Sequence, residues 1–192
     1  MKRLAFLALI LVSSVAVAQS PTRVRGTISS VDGDVLSVKS RDGKDLKIQL
    51  APDAQVATTR KATAADFKPG AYVGVTSVKG SDGRLVARRV HALGPQVPQM
   101  HAPWDSIPDS MMTNATLEGT AQVGTGTQLT LKNKDGEQKI LVTPQTEYYT
   151  FAPGMRADLK RGETIFTSAR EEGGKLVAQR ITVSKDGIKP PQ

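Results

Sequence analysis

The chain says most things twice. Val24-Arg25-Gly26-Thr27 returns as Leu117-Glu118-Gly119-Thr120, and Asp42-Gly43 returns as Asp135-Gly136. Asp66-Phe67-Lys68-Pro69-Gly70 returns as Asp158-Leu159-Lys160-Arg161-Gly162. Leu85-Val86-Ala87-Arg88-Arg89-Val90 returns as Leu176-Val177-Ala178-Gln179-Arg180-Ile181. The offset drifts only from 93 to 92 to 91 residues, so one small unit is duplicated with two single-residue gaps. Internal repetition constrains architecture before any residue is assigned a role.

Within each copy the apolar residues recur with period two, the mark of a strand with one buried face. Val24, Gly26 and Ile28 alternate with Arg25, Thr27 and Ser29; Leu36 and Val38 alternate with Ser37 and Lys39; Leu46, Ile48 and Leu50 follow the same rule. Asp-Gly and Gly-Asp dipeptides separate these runs, as tight hairpins require. Thr63 to Gly70 then reads as one helical turn, opened by a capping Thr and stopped by Pro69-Gly70. Two further strands follow, near Val73–Val75 and Leu85–Leu93. The second copy repeats the order: 117–123, 129–132, 140–142, a turn near 158–160, then 164–168 and 176–183.

Three strands, a helical turn and two strands is the order of an OB-like five-stranded barrel, in which closure removes exposed hydrogen-bonding edges. Gly26 and Gly119 hold the same place in the first strand of each copy. Their recurrence predicts a shared geometric role, a bend or bulge at a barrel corner. The fold class is therefore all-β: two tandem OB-like five-stranded small barrels joined by a Pro-rich linker. The expected boundaries are 19–93 for the first barrel, 94–116 for the linker, 117–185 for the second barrel and 186–192 for a disordered tail.

This pattern of a Gly-x-Ile strand, Asp-Gly turns, a Leu-Lys-x-Gly element and a Leu-Val-Ala-x-x-Val strand resembles a bacterial family of small exported domains of unknown function with an OB-like barrel. The resemblance covers nearly all of 24–93 and, more weakly, 117–183. More distantly the chain is similar to the periplasmic bacterial OB-fold proteins. That likeness implies an association with envelope stress and with ligand or cation binding, but no binding residue carries over by motif.

Residues 1–18 read as a secretory signal peptide. Lys2 and Arg3 precede the apolar run Leu4–Val12, and Ala16-Val17-Ala18 offers the cleavage site. The run is shorter than the roughly 20 apolar residues that span a bilayer. Gln19 follows the cleavage site, so no lipidated Cys begins the mature chain. A periplasmic or secreted protein is expected, not integral to the membrane once cleaved. There are no cysteines, which excludes disulfides, thiolate catalysis and Cys-based zinc sites.

The formal charge of +8 is uneven. Residues 19–93 hold 13 Lys/Arg against 7 Asp/Glu, and residues 117–192 hold 11 against 9. The linker holds the only Trp, the second His and three of the five Met.

Catalysis has no support. His91 and His101 are the only histidines and sit in no metal-ligand spacing. No Gly-x-Ser-x-Gly elbow occurs, and Gly124-Thr125-Gly126 precedes no helix. The turn aspartates suit local backbone hydrogen bonds. No enzyme and no cofactor are expected. Polyanion or nucleic-acid binding would draw on Arg23, Arg25, Lys39, Lys47, Arg88 and Arg89, yet the aromatics that stack bases are missing from the first three strands. Nucleic acid is the less favoured partner. Met100, His101, Met111 and Met112 could supply soft ligands to Cu(I), but Met and Trp in such a linker more often form an apolar plug packed across both barrels, and the plug is the favoured reading. The preferred reading is non-catalytic binding of an envelope protein, a glycan or an anionic surface. The candidate contact residues are Arg25, Lys39, Lys47, Arg88, Arg89, Trp104, Tyr148, Tyr149 and Phe151.

Overall fold

Strand forms wherever the alternation predicts it, and in four stretches where it does not. The computed structural model describes residues 21–191, so the expected signal peptide and Gln192 lie outside it. Among the described residues the strands are β1 (Thr22–Asp32), β2 (Val35–Ser40), β3 (Asp45–Ala62), β4 (Tyr72–Lys79), β5 (Leu85–Ala92), β6 (Met100–Trp104), β7 (Ser110–Val123), β8 (Gly126–Asn133), β9 (Gly136–Val142), β10 (Glu147–Pro153), β11 (Thr164–Glu172) and β12 (Lys175–Val183). Two single helical turns, Ala64–Asp66 and Arg156–Asp158, interrupt them. Each is held by its aspartate: Asp66 accepts from the Thr63 backbone N–H at 2.7 Å, and Asp158 accepts from that of Met155 at 2.8 Å.

Five strands close a barrel in the order β12-β11-β1-β2-β3 and back to β12. All neighbours are antiparallel except β3 and β12, which run parallel, with Leu176 opposite Ile48 and Val177 opposite Gln49. Val24, Ile28, Leu36, Val38, Ile48, Leu50, Ile165, Ile181 and Val183 fill its core. The other seven strands pack outside. Of these, β5, β4, β7, β8 and β9 are paired in that order, and β5 also meets β9 in parallel at Leu85/Ile140 and Val86/Leu141. Their core gathers Phe67, Val73, Val75, Val90, Leu117, Leu129, Leu131 and Ile140.

The expected division into a barrel from 19–93 and another from 117–185 is therefore not how the strands pair. The closed barrel takes β1–β3 from the first repeat and β11–β12 from the second. The reason lies in β3, whose 18 residues reach about 60 Å when extended. Its start pairs with β2, while residues 57–62 pair with β10. By Ala62 the chain has left the first group, so the helical turn and β4–β5 complete the other one. Leu159 accordingly sits in the core with β1–β3, and Phe67 in the core with β7–β9. Gly70 N–H donates to Leu117 O at 2.7 Å, and Gly162 N–H to Ile28 O at 2.9 Å, the same exchange in both directions. Thr59 and Phe151, 92 residues apart, face each other between β3 and β10.

The linker also departs from expectation. Met100–Trp104 is β6 and Ser110–Thr116 opens β7. β6 pairs with β7 alone, an edge position where Pro103 removes no needed donor. Residues 186–191 are not free of structure: Lys185 bridges Ile188, and Pro191 is buried.

The two strand glycines are not alike. A Cβ on Gly26 would lie 2.3 Å from the Lys39 carbonyl oxygen, whereas one on Gly119 would meet nothing within 4 Å. Only the first is a close-approach glycine; the second adjoins a bulge between Leu117 and Gly119.

Candidate functional site

β1 turns Val24 and Ile28 into the barrel core, which turns Arg23, Arg25, Thr27 and Ser29 outward. Thr27 lies beside Lys39 on one side and Thr164 on the other, and Arg25 lies beside Phe166. Arg25, Thr27, Ser29, Lys39 and Thr164 floor a groove of about 590 Å³, to which Arg41 and the tail residue Lys189 also contribute. Its lining holds four cations and no carboxylate. Lys39 has one exposed partner outside the lining, Asp45 at 3.7 Å.

Arg25 anchors the groove. It is 9% exposed, unusual for a cation, and pays for that position through a bidentate pair with Asp105 at 2.8 and 2.9 Å. Asp105 sits at the foot of β6, on the loop that leads to β7. Arg41 donates to the carbonyl oxygens of Asp105 and Ser106 at 2.8 and 3.3 Å. Arg23 stacks over Trp104 at 4.1 Å, and Arg25 lies 5.1 Å from the Phe166 ring. Burial draws the Arg25 guanidinium below its ordinary range, against the opposing pull of Asp105. Burial also pushes the Asp105 carboxyl upward, but the Arg25 hydrogen bonds and charge outweigh it and leave it below the usual carboxylate range. Arg25 Nε, Trp104 Nε1, Ser106 Oγ and Thr164 Oγ1 are buried with no hydrogen-bond partner among the described residues, and of these Arg25 and Thr164 line the groove.

The predicted contact residues thus separate. Arg25, Lys39 and Trp104 come together here. Lys47 and Arg88 are exposed elsewhere on their strands. Arg89 is committed to Glu147 at 3.3 Å and to the Pro191 carbonyl at 2.9 Å. Tyr148, Tyr149 and Phe151 do not form an exposed cluster. Tyr148 is half-buried against Phe67, with ring centroids 5.7 Å apart, Tyr149 is buried, and Phe151 meets His91 edge-on at 6.0 Å. Arg23, which the polyanion reading already included, lies beside them, and Arg41, Asp105, Ser106, Thr164 and Lys189 are the additions. The basic surplus of the first repeat signalled Arg41 alone, since only the strand exchange brings Thr164 and Lys189 to Arg25.

The soft side chains of the linker are divided by β alternation. His101 lies opposite Thr113 and donates to or accepts from its hydroxyl at 2.9 Å, and Met111 shares that face. Met100 and Met112 take the opposite face. They do not converge as one four-ligand set. His91 is 1% exposed, and a Cβ on Gly74 would lie 2.5 Å from its Nε2. Burial, reinforced by Arg89, pushes its pKa down to about 4, so the ring is neutral.

Residues 25–91 match a family described as a domain of unknown function (DUF5666), a span that runs from β1 into β5. No curated protein and no solved structure matches the chain.

Proposed function

We propose that this is a non-catalytic binding protein of the bacterial cell envelope that holds an anionic surface in the groove above β1, β2 and β11. The observation that carries the reading is the Arg25 fork with its bound carboxylate, continued by Lys39, Arg41 and Lys189 with no acid among the lining residues. A site that already receives one carboxylate in a part-buried bidentate fork is chemically matched to phosphate or carboxylate groups. Export rests on residues 1–18 as read from the sequence. Nucleic acid fits less well, because the aromatics nearest the groove, Trp104 and Phe166, are covered by Arg23 and Arg25 and are not free to stack bases.

The same reading takes the fold as two OB-like barrels with exchanged strands. In its support, Leu85/Ile140 and Val86/Leu141 are the repeat equivalents of Leu176/Ile48 and Val177/Gln49, the parallel contact that closes the first barrel.

The test is binding to phosphatidylglycerol vesicles against phosphatidylcholine vesicles over a salt series. Binding to the anionic vesicles should weaken steeply with salt, because counterion release drives such contacts. It should vanish in Lys39→Glu/Arg41→Glu/Lys189→Glu and survive Lys132→Glu/Lys134→Glu/Lys139→Glu. Equal loss in both triple variants would reduce the effect to net charge and refute the groove.

A further inference from the structure

A second cavity, of about 510 Å³, opens between the first helical turn and the β7–β8 hairpin. It reaches the core of the outer strand group: Phe67, Val90, Leu117, Leu129 and Tyr148 form its wall. Its rim is made of hydroxyl and amide side chains, among them Gln122 and Thr127, which hydrogen-bond each other at 3.2 Å. Among the described residues none that lines it is charged. In a chain with 44 charged side chains, counting 26 basic and 18 acidic, a cavity of that size without one is selective by composition. An ion entering it would lose hydration with no countercharge, whereas an apolar body gains from burial and one polar end finds the rim.

The duplication supplies an internal control. Ala64 opens the first helical turn, and Arg156 opens the second at the equivalent position. In the closed barrel Arg156 pairs with Asp34 in the hairpin turn and donates to the carbonyl oxygens of Ala51 and Pro52 at 2.8 and 3.2 Å. One side chain therefore ties the helical turn, the hairpin and the β3 backbone together across that barrel's end. The equivalents of Asp34 and Pro52 are Thr127 and Pro144, and both line the open cavity. Where one half carries a clasp, the other carries Ala, Thr and an entrance.

We propose that this cavity is a binding site for a small uncharged ligand with an apolar body and a hydrogen-bonding end. It is distinct from the basic groove and does not depend on it. The probe is N-phenyl-1-naphthylamine, neutral and fluorescent in apolar surroundings. The protein should bind it saturably, one to one and independently of salt, with NMR shift changes centred on Val90, Leu117, Leu129 and Tyr148. Ala64→Arg/Thr127→Asp copies the clasp and should abolish binding while the circular dichroism spectrum stays native. Arg156→Ala should create a second equivalent of bound probe. Non-saturable uptake, shifts centred on Arg25 and Lys39, or undiminished binding by the natively folded double variant would each overturn the proposal. Should the double variant not fold, the shift map on the unaltered protein decides the matter alone.

Discussion

Lowering the pH from 7 towards 4 protonates His91 in the unfolded chain well before it protonates the ring in the folded one. The ring is buried over Gly74, its Nδ1 has no partner, and its pKa falls from 6.5 to about 4. Desolvation of the imidazolium is the main cause, with Arg89 adding repulsion. A depressed histidine pKa means that the unfolded state binds more protons throughout this window. Stability from this group is therefore intact at pH 7, declines as pH drops below about 6.5, and stops declining near 4. At about 1.4 kcal/mol per pH unit, the interval amounts to about 3 kcal/mol. The perturbation is His91→Leu, which removes the titration and fills the same apolar seam. The assay is urea unfolding at pH 7, 6, 5 and 4, followed by Trp104 fluorescence and far-UV circular dichroism. Carboxylates such as Asp105 also lose stability on acidification, so the informative quantity is the difference between the two proteins. The variant should lose about 3 kcal/mol less than the natural chain between pH 7 and 4. Parallel decline of both curves would refute the account of a neutral, desolvated ring.

Gly26→Ala should destabilise by about 1–3 kcal/mol, because its Cβ would displace the Lys39 carbonyl and with it β2. Gly119→Ala should be neutral or raise stability by up to about 1 kcal/mol, and thermal melts of the two variants separate the cases. Asp105→Ala should cost about 2 kcal/mol by leaving the Arg25 guanidinium buried without its carboxylate. Acetate should restore part of that loss where chloride at equal ionic strength does not, read as the shift in melting temperature. Gly74→Ala should unfold the protein at lower urea than Gly119→Ala, since its Cβ would press on the His91 ring at 2.5 Å.

Strand positions were legible because alternation is a local property, and the Asp-Gly turns mark where each run stops. Lateral partners were not, because the same alternation fits β12 whether β3 or β9 lies beside it. The length of β3 was hidden because the reading of its alternation stops at Leu50; the strand continues through Pro52 and Asp53 to Ala62, with a register shift between Ala178 and Arg180 on its partner. β6 was hidden by Pro103, admissible only because that strand has one neighbour. β10 was hidden by its aromatics, which looked like a surface patch and instead lie on a strand paired with β3 and β5. The basic character of the groove could be read from the first repeat. Its assembly could not, since Thr164 and Lys189 reach Arg25 only after the halves cross.

That crossing sets the order in which the molecule can be made. β1, β2 and β3 leave the ribosome well before β11 and β12, and Thr22 finds its partner at Ala169. Until residues 164–183 arrive, β1 and β3 each present an unpaired edge, the kind of template that recruits other chains. Contacts so distant in sequence also slow folding, because the loop must be closed before the ladder rewards it. The molecule therefore lives or dies by its last strands: a chain cut short after β10 keeps ten strands and has no way to close its barrel.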